Sequence, residues 1–248
     1  MITIATSPNI AASFREFSKL PTSITHKNSD IEWLVSKELV HFEDALSFMQ
    51  KRVDEIIAGN APQLIWILEH HPVYTAGISA SDQDLLIKNN IPIFKTNRGG
   101  KYTYHCPGMK IIYLMLDLKK IFAPEKPDVA RFVKFLENFV IEILAEFGIR
   151  GEIKKGRVGI WVETKDGEKK IAAIGIKIKK WVSCHGIAIN VDPDLSGFEG
   201  IVPCGIKEFG VTSMKELGVA VKNDLSELIR KKFCEKKLMK KSGETRHC

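Results

Sequence analysis

The spacing of apolar residues along this chain of 248 residues predicts three helices. Residues 43–58 carry apolar side chains every three to four positions, and Gly59 follows them as a helix stop. Residues 128–147 repeat this spacing with a stripe rich in phenylalanine, which is typical of a helix packed on a core. Residues 214–233 predict a closing helix, whose basic C-terminal end suits the helix dipole.

Short apolar runs between these helices predict strands. The runs cover residues 64–68, 91–96, 111–116 and 185–191, and a hairpin of 157–162 with 170–178 is expected around Asp166-Gly167. No internal repeat or linker divides the chain. The pattern therefore predicts one α/β domain of the α+β type, in which helices flank a mixed β-sheet core.

Composition narrows the class of protein. Hydrophobic residues make up 44% of the chain and charged residues 27%, as in soluble globular proteins, and no apolar run reaches the roughly 18 residues that a membrane helix needs. Five cysteines occur without a Cys-x-x-Cys pair, which argues against a disulfide framework and against a zinc site. We expect no membrane association, no metal and a reducing compartment, the cytoplasm.

The formal net charge of +7 is partly due to lysines and arginines that cluster over residues 230–241. This basic tail favours an acidic protein partner over nucleic acid, because no zinc-finger or RNP motif accompanies it. Residues 1–30 contain prolines and lack the amphipathic repeat of a transit peptide, so they are interpreted as an N-terminal extension of unknown role. Residues 31–248 are expected to form a single domain.

Cys204 is the first candidate for chemistry. Pro203 and Gly205 flank it, and together they hold a thiol rigidly while leaving it approachable. A thiol has a reference pKa of about 8.5, so a nearby ammonium is needed to populate the thiolate at neutral pH. Lys170, at the start of a predicted strand, is the candidate ammonium. The alternative is that Cys204 is a small buried hydrophobe in a turn.

A second candidate site begins with Arg98-Gly99-Gly100, where guanidinium and backbone donors can face an anion or a carbonyl group, although Gly-Gly also occurs in ordinary turns. Thr103, His105, Pro107 and Gly108 extend it to the pattern Arg-Gly-Gly-x-x-Thr-x-His-x-Pro-Gly. This pattern resembles the signature loop of lipoyl(octanoyl) transferases, the acyltransferases of protein lipoylation.

Four further segments agree with that resemblance in order and spacing. They are His70 with Pro72-Val73-Tyr74-Thr75-x-Gly77, the run from Lys170 to Ile176, the run from His185 to Asn190, and Pro203-Cys204-Gly205-Ile206 followed by Val211-Thr212-Ser213-Met214. Together they span roughly residues 31 to 217. Five ordered motifs are specific, whereas any one of them alone is not.

The resemblance implies transfer of an octanoyl group from octanoyl acyl-carrier protein to a lysine of a lipoyl domain. The acceptors would be the lipoyl domains of 2-oxoacid dehydrogenase complexes and the glycine cleavage H protein. It also implies a fold similar to biotin and lipoate protein ligases, with residues 31–248 as the catalytic domain. Cys204 would be the nucleophile that carries the acyl group as a thioester, and Lys170 would lower the pKa of Cys204 and shuttle its proton. No cofactor and no ATP are implied.

The resemblance further assigns an acyl pocket. Its residues would be Arg98, Gly99, Gly100, Lys101, Tyr102, Thr103, Tyr104, His105, Ala173, Ile174, Gly175, Gly186, Ile187 and Ala188, with His70 and Tyr74 as secondary candidates. Cys106 and Met109 depart from the family loop, which usually has glycine and glutamine there. Cys106 therefore places a second thiol near the pocket.

Three alternatives compete with this reading. Cys184 and His185 are adjacent, but neighbours on a strand point to opposite faces, so they do not form a dyad. An ATP-dependent lipoate or biotin protein ligase would share the fold and the lysine strand, but it would leave Cys204 unexplained. A non-catalytic protein that binds lipoyl domains or acyl groups would need neither Lys170 nor Cys204.

Overall fold

The structure, a computed structural model, describes residues 22–25, 30–86, 90–202, 209–221 and 224–236, the first four as backbone only. Its strands are β1 (Thr22–Thr25), β2 (Ile31–Ser36), β3 (Gln63–Leu68), β4 (Val73–Ala76), β5 (Ile93–Lys95), β6 (Tyr102–His105), β7 (Met109–Met115), β8 (Glu152–Lys154), β9 (Arg157–Thr164), β10 (Gly167–Lys179), β11 (Val182–Asn190) and β12 (Gly210–Val211). Its helices are α1 (Phe42–Ala58), α2 (Leu118–Phe122), α3 (Val129–Ala145) and α4 (Ser226–Glu235), and 3₁₀ turns lie at Asp82–Asp84 and Leu195–Gly200.

The described strands form two mixed sheets. The larger has the order β1-β2-β3-β7-β11-β10-β9-β8, with β12 added beside β10. Most of its pairs are antiparallel, whereas β2 with β3 and β10 with β12 run parallel. The smaller sheet has the order β5-β4-β6. The predicted mixed sheet flanked by helices is confirmed.

Two hydrophobic cores lie on opposite faces of the larger sheet. Strand alternation separates them, because successive side chains point to opposite faces. In β7, Ile112 and Leu114 belong to one cluster, whereas Ile111, Tyr113 and Met115 belong to the other. We call the cluster that includes α2, α3 and α4 the first core. The cluster that includes α1 and the smaller sheet is the second core.

Most predicted elements are confirmed. The helix predicted at 43–58 is α1, which ends at Gly59 with a left-handed backbone, and the helix predicted at 128–147 is α3. The apolar runs correspond to β3, β5, β7 and β11, and the predicted hairpin is β9 with β10, which are joined where Thr164 pairs with Gly167.

The closing helix predicted at 214–233 is wrong over its first half. Residues 214–218 form turns, and α4 begins only at Ser226. Gly218 has φ +81°, a left-handed conformation that ends a helical turn, and the β-branched Val219 and Val221 follow it. The apolar spacing of this stretch arises because Met214, Leu217, Val219 and Val221 all pack against the first core from non-helical backbone.

The N-terminal boundary stays a prediction. Strand β1 lies within residues 1–30 and pairs with β2 at the edge of the larger sheet. Residues 1–21 and 26–29, like residues 237–248 of the basic tail, are outside the part of the chain that the structure describes. None of the helices that it does describe is long and apolar enough to cross a membrane.

Candidate active site

A cavity lies between the smaller sheet and strands β7, β10 and β11 of the larger sheet. The residues that line it are Phe42, Thr75, Arg98, Gly99, Gly100, Lys101, Tyr102, Thr103, His105, Ile111, Tyr113, Val158, Lys170, Ala173, Ile174, Gly175, His185, Gly186, Ile187 and Ala188. The chain thus brings the glycine-rich loop together with two consecutive strands from much later in the sequence, the lysine strand β10 and its neighbour β11.

The structure places all but one of the predicted pocket residues around this cavity. Tyr104 is the exception, because its ring packs against Tyr74 at 5.3 Å and Phe198 at 5.5 Å between ring centroids. Tyr74 also lies away from the cavity and donates a hydrogen bond to the carbonyl of Gly197 at 2.6 Å. Both tyrosines therefore pack behind the cavity wall and do not line it.

Arg98 fixes the glycine-rich loop in place through hydrogen bonds. Its Nη2 donates to the carbonyl of Thr75 at 2.6 Å and to the hydroxyl of Thr75 at 2.8 Å, while Nη1 donates to the carbonyl of Gly99 at 3.0 Å. The amide of Gly99 in turn donates to the carbonyl of Ile176 at 2.9 Å. The loop is thus fastened to both sheets, which explains how the Arg-Gly-Gly pattern gives a defined surface.

Lys170 reaches the cavity from an irregular point of the sheet. The pairing of β10 with β9 shifts register between Lys170 and Ala172, and Gly159 opposite this bulge has φ +113°. A side chain at Gly159 would collide with the carbonyl of Ala172, and it would lie about 3.5 Å from the Lys170 amine. Lys170 is 6% exposed, its Nζ donates to the carbonyl of Val158 at 3.0 Å, and it lies 4.7 Å from the centre of the Trp161 ring.

His70 lies behind the cavity in a defined tautomer. Its Nδ1 is 2.7 Å from the carbonyl of Val40, and its Nε2 is 2.7 Å from the hydroxyl of Tyr113. A carbonyl only accepts, so Nδ1 carries the proton and Tyr113 donates to Nε2. Burial lowers the pKa of His70 to about 4, so the ring is neutral at pH 7. His70 therefore orients the Tyr113 side chain, which itself lines the cavity.

Two more buried histidines line the cavity directly. Burial, with smaller contributions from His70 and Arg98, holds the pKa of His105 well below its usual range. Burial and the neighbouring Arg98 lower the pKa of His185 to about 4. The His105 ring stacks on Phe42 at 6.5 Å, and its Nδ1 has no hydrogen-bond partner among the residues that the structure describes. The cavity wall is thus polar but uncharged at these positions.

The described thiols near the cavity are unreactive by environment. Cys106 is 2% exposed and donates a weak hydrogen bond from its sulfur to the carbonyl of Asp194 at 3.9 Å. Burial raises the pKa of the Cys106 thiol to about 11, and burial likewise raises the pKa of Cys184 to about 11. Both stay protonated at neutral pH, so Cys106 does not compete as a nucleophile.

Cys204 itself lies outside the described residues, in the stretch 203–208, but both flanks of that stretch are placed. On one side the amide of Val202 donates to the carbonyl of Asp84 at 2.7 Å, and the Asp84 carboxylate pairs with Lys101 of the cavity wall at 3.3 Å. On the other side β12 pairs with β10, with Val211 opposite Lys170. One flank is therefore linked to the cavity wall through Asp84 and Lys101, and the other is paired with β10, which lines the cavity.

Thr75 and His185 line the cavity, although the sequence placed them only in the family motifs and not in the pocket. Outside those motifs, sequence reasoning missed four lining residues: Phe42, Ile111, Tyr113 and Val158. One of them carried a usable signal. Tyr113 interrupts the apolar run of β7, and a buried tyrosine hydroxyl requires a hydrogen-bond partner. The other three are ordinary apolar residues whose position depends on how the elements pack.

Comparison with known proteins gives consistent matches. The family model for the lipoyl protein ligase A/B catalytic domain matches residues 41–233. The chain is similar to Octanoyltransferase of Wolbachia sp. subsp. Brugia malayi, with 48% identity over 204 residues, which are 82% of this chain and 98% of that protein. It is also similar to Octanoyltransferase of Brucella melitensis biotype 1, with 52% identity over 200 residues, 77% of this chain and 74% of that protein.

Two solved structures share the fold at low identity. A bi-partite lipoate protein ligase of Thermoplasma acidophilum has a TM-score of 0.60 at 16% identity, over 85% of this chain and 84% of that chain. A lipoate-protein ligase A bound with ATP has a TM-score of 0.57 at 17% identity, over 75% of this chain and 79% of that chain. These identities establish the fold alone, and they confirm the expected likeness to lipoate protein ligases.

Proposed function

The chain belongs to the lipoyl protein ligase A/B catalytic domain family, and we propose that it is an octanoyltransferase of protein lipoylation that works through a thioester on Cys204. The acyl donor is octanoyl acyl-carrier protein, and the acceptor is the lysine of a lipoyl domain, in 2-oxoacid dehydrogenase complexes or the glycine cleavage H protein. Five cysteines without a Cys-x-x-Cys pair suit a reducing compartment, which we take to be the cytoplasm.

The reaction divides into two acyl transfers with Lys170 as the proton carrier. In the first, the Lys170 ammonium stabilises the Cys204 thiolate, the thiolate attacks the octanoyl carbonyl, and the carrier thiol leaves with a proton donated by Lys170. In the second, the neutral lysine of the lipoyl domain attacks the acyl-Cys204 carbonyl. Its excess proton passes through Lys170 to the departing Cys204 sulfur. An amide replaces a thioester, so the second transfer is downhill and no ATP is needed.

The observation that carries this proposal is the position of Lys170. Its side chain is buried on the wall of the cavity, and the strand that follows the Cys204 stretch, β12, pairs with the backbone of this same residue. The amide of Thr212 adds a hydrogen bond to the Lys170 carbonyl at 2.9 Å. A proton carrier must lie next to the nucleophile, and this pairing attaches the Cys204 stretch to the strand of Lys170.

The cavity wall suits a hydrocarbon chain. Ala173 and Ala188 offer apolar side chains on this wall. Gly186 and Gly175 let neighbouring groups approach closely, because a Cβ would lie 2.1 Å from the Ile112 carbonyl oxygen at Gly186 and 3.1 Å from the Arg98 side chain at Gly175. Burial of each methylene of an acyl chain contributes about 0.8 kcal/mol, so the available depth selects the chain length. The histidines on the wall are neutral at pH 7, so they add no charge that would oppose entry of an apolar group.

An ATP-dependent ligase is the second candidate, because lipoate-protein ligase A has the same fold. The two functions differ in whether they need a reactive thiol. A ligase activates a free acid with ATP and needs no cysteine nucleophile, whereas relatives at about 50% identity are named Octanoyltransferase. The presence of Pro203-Cys204-Gly205 favours thioester chemistry.

Intact-mass spectrometry tests the proposal. Incubation with octanoyl acyl-carrier protein and no ATP is expected to add one octanoyl group to the protein, and Cys204→Ser is expected to abolish both this adduct and transfer to a lipoyl domain. Cys106→Ser is the matched control and should retain the adduct, because burial keeps that thiol protonated. An adduct on another residue, no adduct in the unaltered protein, or transfer that requires ATP would contradict the thioester mechanism.

A further inference from the structure

Arg157 lies across two aromatic rings at the edge of the site. Its guanidinium carbon is 4.1 Å from the centre of the Phe209 ring and 4.6 Å from the centre of the Trp161 ring. The two rings meet edge to face at 5.5 Å, and the indole N–H of Trp161 donates to the backbone carbonyl of Arg157 at 3.0 Å. We call Arg157, Trp161 and Phe209 the guanidinium stack.

The Glu168 carboxylate holds the guanidinium in this orientation. Nη2 of Arg157 donates to Glu168 at 2.6 Å, and Glu168 is also paired with Lys154. The Arg157 side chain is only 19% exposed, so its position depends on packing as well as on charge. A planar guanidinium can stack on two rings while it donates in its own plane to a carboxylate, which an ammonium cannot do.

The guanidinium stack connects the two halves of the proposed catalytic pair. The Lys170 amine lies 4.7 Å from the centre of the Trp161 ring, and the same ring contacts Arg157. Phe209 is the first described residue after the Cys204 stretch and directly precedes β12. One side of the stack therefore contacts the proposed proton carrier, and the other contacts the flank of the segment with the proposed nucleophile.

We propose that Arg157 is a positioning residue that, by clamping Phe209 onto Trp161, sets the position of Cys204 relative to Lys170. The inference rests on the proposed function, because it assumes that Cys204 and Lys170 act as a pair. Arg157 does not line the acyl cavity, and it acts through Trp161 and Lys170 rather than on the substrate. Loosening the clamp frees the flank of the Cys204 stretch and weakens the effect of Lys170 on the thiol.

The pH dependence of Cys204 alkylation measures this effect. Peptide mass spectrometry follows the rate of iodoacetamide labelling at Cys204 from pH 5 to pH 10, in the unaltered protein and in Arg157→Ala, Arg157→Lys and Phe209→Leu. We expect all three variants to raise the pH midpoint by about one unit, which lowers the rate at pH 7 about tenfold. Lys170→Ala marks the shift that follows from removing the amine itself.

The variants separate positioning from charge and from general damage. If Arg157 acted only through its positive charge, Arg157→Lys would restore the midpoint of the unaltered protein, and that result would overturn the proposal. Arg150→Ala is the matched control, because this side chain is 90% exposed and should leave the midpoint unchanged. Circular dichroism confirms that each variant is folded, and Phe209→Leu tests the clamp if Arg157→Ala does not fold.

The outcomes also distinguish this inference from the proposed function. No octanoyl adduct on the unaltered protein, or a Cys204 midpoint that does not respond to Lys170→Ala, would refute the catalytic pair itself. A normal adduct and a response to Lys170→Ala, together with unchanged midpoints in Arg157→Ala and Phe209→Leu, would refute only the role of Arg157.

Discussion

The two faces of the larger sheet differ in chemistry although the same strands supply both. The buried residues of the first core are aliphatic side chains, phenylalanines, one tryptophan and one methionine, packed against α2, α3 and α4. The second core holds all four tyrosines of the chain and the buried thiols Cys106 and Cys184. Buried His70 and His185 contact Tyr113 on that same side.

The difference shows where stability and function are supplied. The first core gains free energy from the burial of side chains that are apolar except for the indole nitrogen of Trp33, which has no hydrogen-bond partner among the described residues. The second core must pair its polar atoms, as His70 does with Val40 and Tyr113, and it adjoins the cavity. We therefore expect substitutions in the first core to change the free energy of unfolding. Substitutions around the second core should change the pH dependence of the free energy of unfolding, or they should change the acyl specificity.

Phe139→Ala tests the first core and has the largest expected effect. Phe139 is fully buried in α3, so loss of its ring should lower the free energy of unfolding by about 3–5 kcal/mol. Urea denaturation at pH 7 measures the change, and Lys134→Ala on the exposed side of the same helix should cost less than about 0.5 kcal/mol. The rate of octanoyl transfer per folded molecule should stay the same. A lower rate per folded molecule would contradict the proposal that the two faces of the sheet have different roles.

Acid pH tests the polar content of the second core. His70 and His185 have pKa values of about 4 in the folded protein, against an ordinary 6.5. Between these values the unfolded chain binds protons that the folded protein does not. The free energy of unfolding should therefore fall as the pH drops from 6.5 to 4, by about 1.4 kcal/mol per pH unit for each histidine.

Urea denaturation over this pH range isolates the histidine contribution. His70→Gln should flatten the dependence by the share of one group. Equal slopes for the unaltered protein and His70→Gln would show that burial of His70 as a neutral ring does not contribute to the pH dependence of the free energy of unfolding.

Ala188→Leu tests the cavity wall and has the smallest expected effect. The larger side chain shortens the space for an acyl chain, and each excluded methylene costs about 0.8 kcal/mol, or roughly a fourfold loss of preference. Competition between octanoyl and hexanoyl donors should shift toward hexanoyl. Ala145→Leu, the same change at an exposed position of α3, should leave the ratio as it is. An unchanged ratio of octanoyl to hexanoyl transfer in Ala188→Leu would show that Ala188 does not contact the acyl chain.

Local patterns in the sequence were sufficient for most of the fold and for the family. The hairpin of β9 and β10 follows from Asp166-Gly167 between two apolar runs, and α3 follows from its apolar spacing. The closing helix shows the limit of such patterns. Apolar residues at 214–221 have helical spacing, yet they contact the first core from turns. Spacing reports which residues are buried but not which backbone conformation buries them.

The sequence by itself determined the order of elements, the family motifs and the nomination of Lys170 and Cys204. Only the tertiary structure decided that Lys170 shares the Trp161 ring with Arg157, that His70 orients Tyr113, and that Cys106 is a buried thiol with a raised pKa. The physical reason is distance along the chain. Helical and strand periodicity depends on neighbours a few residues apart. The bonds of His70 to Tyr113 and of Cys106 to Asp194 join residues separated by tens of positions, and Lys170 meets Trp161 only because β10 pairs with β9.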